Sequence, residues 1–196
     1  MSNLNNKIQK VNELCYGKFI SLYDLEYKNK LNENKHWTVA TRKDKEAVED
    51  FYLNQNEDKV DAVGICAYHV RYKKLVIIKQ FRVPINDYIY EVPAGLVDKG
   101  DKDILESVKR ELKEETGAVD FNIKPVCVYS VKGKTRVNDN ATKESFGMLY
   151  AAEIFSFEEI HSEIEKIVLS DDLIRQWTYP LIQPKLISEA KKRGYL

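Results

Sequence analysis

Apolar and polar residues change rhythm several times along this chain, and each change marks an element. Two runs rich in aromatic and β-branched residues come first, GKFISLYDLEYK at 17–28 and KHWTVATR at 35–42. Such residues favour a pleated, half-buried surface. The polar, Asn-containing stretch from Lys28 to Asn34 predicts a turn between them, so the pair reads as a small antiparallel unit. Residues 43–60 are dominated by charge and predict a short helix followed by a loop at Asn54, Asn56 and Asp58. Apolar runs at 61–70 and 74–81 predict two strands joined through a basic turn at Arg71 to Lys74. A further strand, YIYEV at 88–92, stops at Pro93, because proline has no N–H for a central ladder.

The period then lengthens. Leu105, Val108 and Leu112 follow a step of three and then four, the stripe of an amphipathic helix over 103–116. Asp103 with Glu106 three residues later has the pattern of an N-terminal cap, and Gly117 supplies a stop. Strands are expected at 124–131 and 146–154, a helix at 157–167, a turn bracketed by Pro180 and Pro184 after Trp177, and a last helix at 185–192. No internal repeat or low-complexity segment interrupts this order. A mixed sheet flanked by helices, α+β or α/β in class, fits it.

Composition narrows the function classes. The chain has 196 residues, with 31 acidic and 31 basic side chains and a formal net charge of zero. That balance argues against broad electrostatic binding to nucleic acid or an anionic membrane, leaving only local charged sites. Cys15, Cys66 and Cys127 are far apart and form no CxxC or zinc spacing, so they read as reduced thiols. The first ten residues are polar and carry no signal-peptide apolar region, and no run approaches the ~20 apolar residues of a membrane span. These features lead to the expectation of a cytoplasmic protein. His36, His69 and His161 lack ligand spacing.

The chemistry concentrates in Arg110-Glu-Leu-Lys-Glu-Glu-Thr-Gly117. Glu111 and Glu115 are four residues apart and share one helical stripe, with Glu114 beside them. Like charges at this spacing destabilise a helix by a few tenths of a kcal/mol per pair, roughly. Solvent on an exposed face relieves that repulsion, and so does a hard divalent cation, which prefers oxygen ligands and often adds substrate phosphates to one or two carboxylates.

Gly95, Arg110, Glu111, Leu112, Glu114, Glu115, Gly117 and Ala118 together resemble the Nudix box of the Nudix hydrolases, Gly-x5-Glu-x7-Arg-Glu-apolar-x-Glu-Glu-x-Gly-apolar. The second half matches throughout. In the first half, Asp101 or Lys102 stands near the expected Glu and the loop is one residue longer, so that position is not assigned as a ligand. Lys79-Gln-Phe-Arg-Val-Pro84 and Glu91-Val-Pro-Ala-Gly95 resemble the ADP-ribose pyrophosphatase branch, as does Trp37 followed by Arg42. That branch often carries a Pro beyond the box, which Ser130-Val-Lys-Gly133 lacks.

The resemblance implies an α/β fold, the Nudix α/β/α sandwich with mixed sheet, plus a small N-terminal antiparallel β unit. It implies N-terminal strands (1–60) that contribute to dimerisation and the substrate site, followed by a Nudix hydrolase domain (61–196). Mg²⁺ is the implied cofactor, with Mn²⁺ a substitute. Its ligands would be Glu111, Glu114, Glu115 and the backbone carbonyl of Ala94. Arg110 would pair with a box carboxylate, and Glu144 falls near the family's mobile acidic residue that binds metal or activates water. Glu115, Glu144 and Arg110 are thus the expected catalytic set. Trp37 would stack an adenine, unless it serves the core or an interface, and Arg42 and Arg82 would hold phosphates.

The expected reaction is hydrolysis of a nucleoside diphosphate compound, ADP-ribose giving AMP and ribose 5-phosphate, by a homodimer with exchanged N-terminal strands. A UDP-sugar, a dinucleotide or an oxidised nucleotide as substrate, or a nucleotide-sensing module without turnover, are the competing readings.

Overall fold

The structure is a computed structural model that describes residues 8–54, 60–98, 100–133, 142–159, 164–170 and 182–196, with the side chains of residues 84, 130–133, 142–146 and 164–170 outside that description. The chain divides into two compact units, Met1–Asp58 and Lys59–Leu196.

The first unit is a three-stranded antiparallel sheet in the order β1 (Ile8–Cys15), β2 (Ser21–Lys28), β3 (Asn34–Thr41), with helix α1 (Lys45–Tyr52). The 17–28 run therefore begins its strand at Ser21, and a strand precedes it. β1 was hidden because in its sequence, IQKVNELC, the apolar Ile8, Val11 and Leu14 recur every third residue instead of alternating, and only Val11 is buried. Val11, Tyr23, Leu25 and Val48 form a small core. Asp44 caps α1 by accepting the Ala47 N–H at 3.0 Å.

The second unit is a seven-stranded mixed sheet. Its central path is β10 (Ile164–Ser170), β5 (Lys74–Arg82), β4 (Ala62–His69), β9 (Thr142–Phe157) and β8 (Ala118–Gly133). β6 (Asp87–Glu91) pairs with β5 beyond a 3₁₀ turn at Val83–Ile85, and β7 (Ala94–Leu96) pairs with β4. The β4–β9 pairing is parallel and the others are antiparallel.

Helix α2 (Ile104–Thr116) covers one face and helix α3 (Gln183–Lys192) the other. Val63, Ile65 and Ala67 of β4 pack with Val108 and Leu112 of α2. Cys66, between them in sequence, joins Leu186, Ile187 and Ala190 of α3. Because both faces are buried, β4 reads as a nearly unbroken apolar run instead of an alternation. This arrangement is the expected α/β sandwich.

One element departs from expectation. Residues 157–167 were expected to be helical, yet β9 ends at Phe157 and Ile164 opens β10, which runs antiparallel to β5. Residues 160–163 lie outside the described residues. Ile164, Ile167, Val168 and Leu169 carry the β-branched and apolar content that a strand needs, and the open edge of β5 outweighs the helical spacing of the charges before them. β8 and β9 also run longer than the 124–131 and 146–154 runs, pairing with each other from Ala118–Phe157 to Gly133–Thr142. The expected turn at Trp177 and Pro180 lies outside the described residues.

Among the described residues no helix is long and apolar enough to cross a membrane.

Candidate active site

The site grows from the way β6, β7 and α2 meet. β6 ends at Glu91, and Pro93 donates no hydrogen bond but offers its carbonyl to the Ile65 N–H at 2.8 Å. The chain then zips onto β4, with Ala94 opposite Gly64 and Gly95 opposite Val63. The Val97 N–H to Asp61 carbonyl bond, 3.1 Å, closes this short pairing. The Pro93–Leu96 turn is thereby fixed to the centre of the sheet.

α2 is held at both ends. Asp103 accepts the Glu106 N–H at 2.9 Å, and Glu106 reaches back to the Lys102 N–H, also at 2.9 Å. Gly117 leaves the helix at φ 71°, a left-handed conformation that favours glycine, and donates to the Lys113 carbonyl. With Val108 and Leu112 fully buried, Glu111 and Glu115 fall three positions further round and ride on the edge of the apolar stripe. Their carboxylates are therefore drawn partly out of water.

Both reach the turn. Glu115 Oε2 accepts the Ala94 N–H at 2.9 Å. Glu111 lies so close to Gly95 that a Cβ there would sit 1.9 Å from its Cδ. A Cβ at this position would push the Glu111 carboxylate away from the turn. Glu114 points outward, its side chain 58% exposed.

Arg110 gathers the loop. Its Nη1 donates to Glu111 Oε1 at 2.8 Å, and its Nη2 donates to the Leu96 carbonyl at 3.1 Å and to Asp101 Oδ2 at 3.2 Å. Asp98 lies 3.2 Å from Nη2 and Glu114 3.6 Å from Nη1. Asp101 is further fixed by the Ser107 hydroxyl at 2.6 Å. Ser107 and Arg110 together hold the Asp101 carboxyl below the usual carboxylate range. The longer loop thus ends in an acidic residue that anchors Arg110, a role the sequence reading did not assign.

Electrostatics mark the two stripe glutamates. Burial raises the Glu111 carboxyl above its ordinary value, against the pull of Arg110 and with the push of Glu114. Burial pushes Glu115 up to about 8, opposed by the Ala94 N–H and reinforced by Glu111 and Glu91, while Arg82 acts in the opposite direction. Arg82 is ion-paired with Glu91 across the β5–β6 hairpin.

The remaining expected residues are distributed as follows. Trp37 stands on β3 opposite Leu25 and is 66% exposed, so it is not a core residue of its own unit. Arg42 is exposed just beyond the end of β3. Both belong to the first unit, and Ala94, Arg82 and the α2 residues belong to the second. Glu144 falls within β9, and its side chain is outside the described residues.

Several side-chain oxygens and no sulfur or imidazole converge at the turn, which is a donor set suited to Mg²⁺ or Mn²⁺. Two half-buried carboxylates at the cost of desolvation fit a hard cation, which would offset their charge. Among the described residues, the one trio whose ligand atoms all lie within 4.8 Å of each other is elsewhere, at Asp24, Glu26 and His36 on the first unit's sheet.

A family profile described as "NUDIX domain" matches residues 58–189. The chain belongs to the Nudix family. Among relatives of this Nudix protein is the ADP-ribose pyrophosphatase of Saccharomyces cerevisiae, 34% identical over 112 residues, which are 55% of this chain and 43% of that protein. The chain spans about half the length of the curated relatives it matches. Among solved structures, an ADP compounds hydrolase aligns over 100% of both chains with a TM-score of 0.58 and 13% identity. The NUDIX domain of Shewanella oneidensis NrtR, solved with ADP ribose, aligns over 77% of this chain and 98% of that one, with a TM-score of 0.54 and 15% identity. At these identities the two structures share the fold. The resemblance to the ADP-ribose pyrophosphatase branch rests on the sequence relatives.

Proposed function

We propose that this Nudix protein hydrolyses the pyrophosphate bond of a nucleoside diphosphate derivative, ADP-ribose being the leading substrate. The observation that carries the reading is the closure of Glu111 and Glu115 onto the Ala94–Gly95 turn, with Arg110 tying loop and helix together.

The diphosphate resists attack because its oxygens are negative and repel a nucleophile. Glu111, Glu115 and the Ala94 carbonyl would hold a divalent cation, and Glu114 could serve a second one; when bound, such an ion would supply charge neutralisation and a more acidic water. The chain's own residues do the rest. Arg110 fixes the spacing between the turn and α2. Arg82 and Arg42 bind phosphate oxygens, for which the planar guanidinium is well shaped. Trp37 offers an exposed indole face for the base, a contact worth about 1–3 kcal/mol in nucleic-acid sites. Glu144 or Glu115 accepts the proton as water attacks one phosphorus and the bridging P–O bond breaks. ADP-ribose and water then yield AMP and ribose 5-phosphate. A homodimer in which the N-terminal strands complete the substrate site is part of this reading.

The test is incubation with ADP-ribose and Mg²⁺ or Mn²⁺, alongside a UDP-sugar, NADH and an oxidised nucleoside triphosphate, with chromatography of products. AMP release from ADP-ribose above the other compounds supports the proposal. Absence of turnover with every compound sinks it. A second reading is favoured by the fold shared with the NrtR domain that holds ADP ribose: a module that binds the nucleotide without cleaving it. Calorimetry giving tight ADP-ribose binding with no product would select that reading.

A further inference from the structure

Glu91 is a buried carboxylate that the proposed chemistry leaves without a task. It is 4% exposed, at the end of β6 and opposite Ile78 of β5. Its partner Arg82 is at the far end of the β5 pairing, with a side chain 45% exposed. Strand alternation puts Val76, Ile78, Gln80 and Arg82 on one face of β5, and Val76 packs in the α2 core. Register then puts Glu91 on that same face, the one that carries α2 and Glu115. Lys79, Phe81 and Tyr88 stand on the opposite face.

Burying an ion to make one ion pair is a poor way to stabilise a fold, since a packed apolar residue of similar size is often as good or better. The pair is also asymmetric: the anion is enclosed and the cation reaches the surface. A guanidinium has five N–H donors in a fixed plane. The Glu91 bond uses an Nη2 donor and sets the plane of the rest. An Arg on a flexible stem would have to be ordered each time a ligand arrived, whereas one already clamped avoids that entropy loss.

We propose that Glu91 is a positioning residue, whose enclosed carboxylate clamps the Arg82 guanidinium as a preformed receptor for diphosphate oxygens. This rests on the reading that the site takes a nucleoside diphosphate.

The experiment compares wild type with Glu91→Gln, Glu91→Asp, Arg82→Ala and the Glu91→Gln/Arg82→Ala double variant. Steady-state kinetics with ADP-ribose and Mg²⁺ are measured beside calorimetric affinity for ADP and a thermal melt. Glu91→Gln is expected to raise KM about tenfold, the scale of one hydrogen bond to a charged group, with kcat changed less than about threefold. ADP affinity should fall by a similar factor. The double variant should be no worse than Arg82→Ala alone, because the two residues act as one unit. Glu91→Asp should recover part of the loss, and it carries the same test if Glu91→Gln does not fold.

A lower melting temperature with KM and ADP affinity unchanged would overturn the proposal and leave Glu91 a structural residue. Additive losses in the double variant would overturn it too. If wild type binds ADP but cleaves nothing, the hydrolytic reading falls while the ADP affinities still decide the role of Glu91. ADP binding that ignores Arg82→Ala overturns the clamp.

Discussion

Two acidic groups in this molecule make an instructive pair. Asp24, Glu26 and His36 bring three ligand atoms within 4.8 Å, which satisfies a purely geometric rule for a metal site. Glu111, Glu114 and Glu115 do not form such a trio. Yet the first group is already closed upon itself. His36 Nδ1 lies 2.7 Å from Asp24 Oδ2, Asn12 donates to Glu26 at 2.6 Å, and Lys10 is 3.7 Å away. Asp24 raises the His36 pKa through that hydrogen bond, as an ordinary surface ion pair would. The α2 group sits in a different environment. Glu111 and Glu115 are half buried, burial raises the pKa of both although Arg110 and the Ala94 N–H bond to them, and a glycine makes room for Glu111. Proximity alone marks an ion pair, whereas carboxylates that burial keeps raised despite their hydrogen-bond partners form a place that a cation would stabilise.

The largest expected effect comes from removing charge on the α2 side. Glu115→Gln should lower kcat by about a thousandfold, the scale of several kcal/mol lost at a reacting centre, with an unchanged fold by circular dichroism. Turnover near wild type would break the comparison at its root.

Next comes Gly95→Ala. Its Cβ would meet the Glu111 carboxyl at 1.9 Å, so that flexible carboxylate must swing away from the turn. Activity should fall about a hundredfold while stability changes by less than about 1 kcal/mol, read from a denaturant melt.

The pH dependence of stability sharpens the contrast. Glu115 in the cation-free protein titrates near 8, above an unfolded carboxyl at about 4.3, so the folded state binds the extra proton between those values. Its contribution is fully present below the unfolded pKa and lost as pH rises towards 8. Cation-free protein should therefore lose on the order of a few kcal/mol of stability across that window, Glu115→Gln should lose less, and Mg²⁺ should restore it at pH 8. A melting temperature that stays flat with pH would count against the burial of a charge there.

The smallest effect belongs to the other group. His36→Ala should leave the Mg²⁺ dependence of turnover unchanged and barely move the melting temperature, because an exposed pair contributes little. A shifted Mg²⁺ requirement would erase the distinction between the groups.

Much of this was legible in the chain. The caps at Asp103 and Gly117, the Val108–Leu112 stripe and the sandwich around β4 follow from local rules that the packing reinforces. β10 was not legible, because a strand at a sheet edge is decided by the partner β5 and not by its own period. β1 was missed since its apolar residues Ile8, Val11 and Leu14 are three apart and show no alternation to read. Within the site, the Arg110–Glu111–Gly95 arrangement could be anticipated in outline. The anchoring of Arg110 by Asp101 and Ser107 and the Arg82–Glu91 pair could not. They join residues 9 positions apart through a loop or a hairpin whose register no single-residue preference encodes.

The most direct test is crystallography of Mn²⁺-soaked protein with anomalous difference maps. The account predicts a peak among Glu111, Glu115 and the Ala94 carbonyl. A peak at Asp24 and His36 with none beside α2 would contradict it.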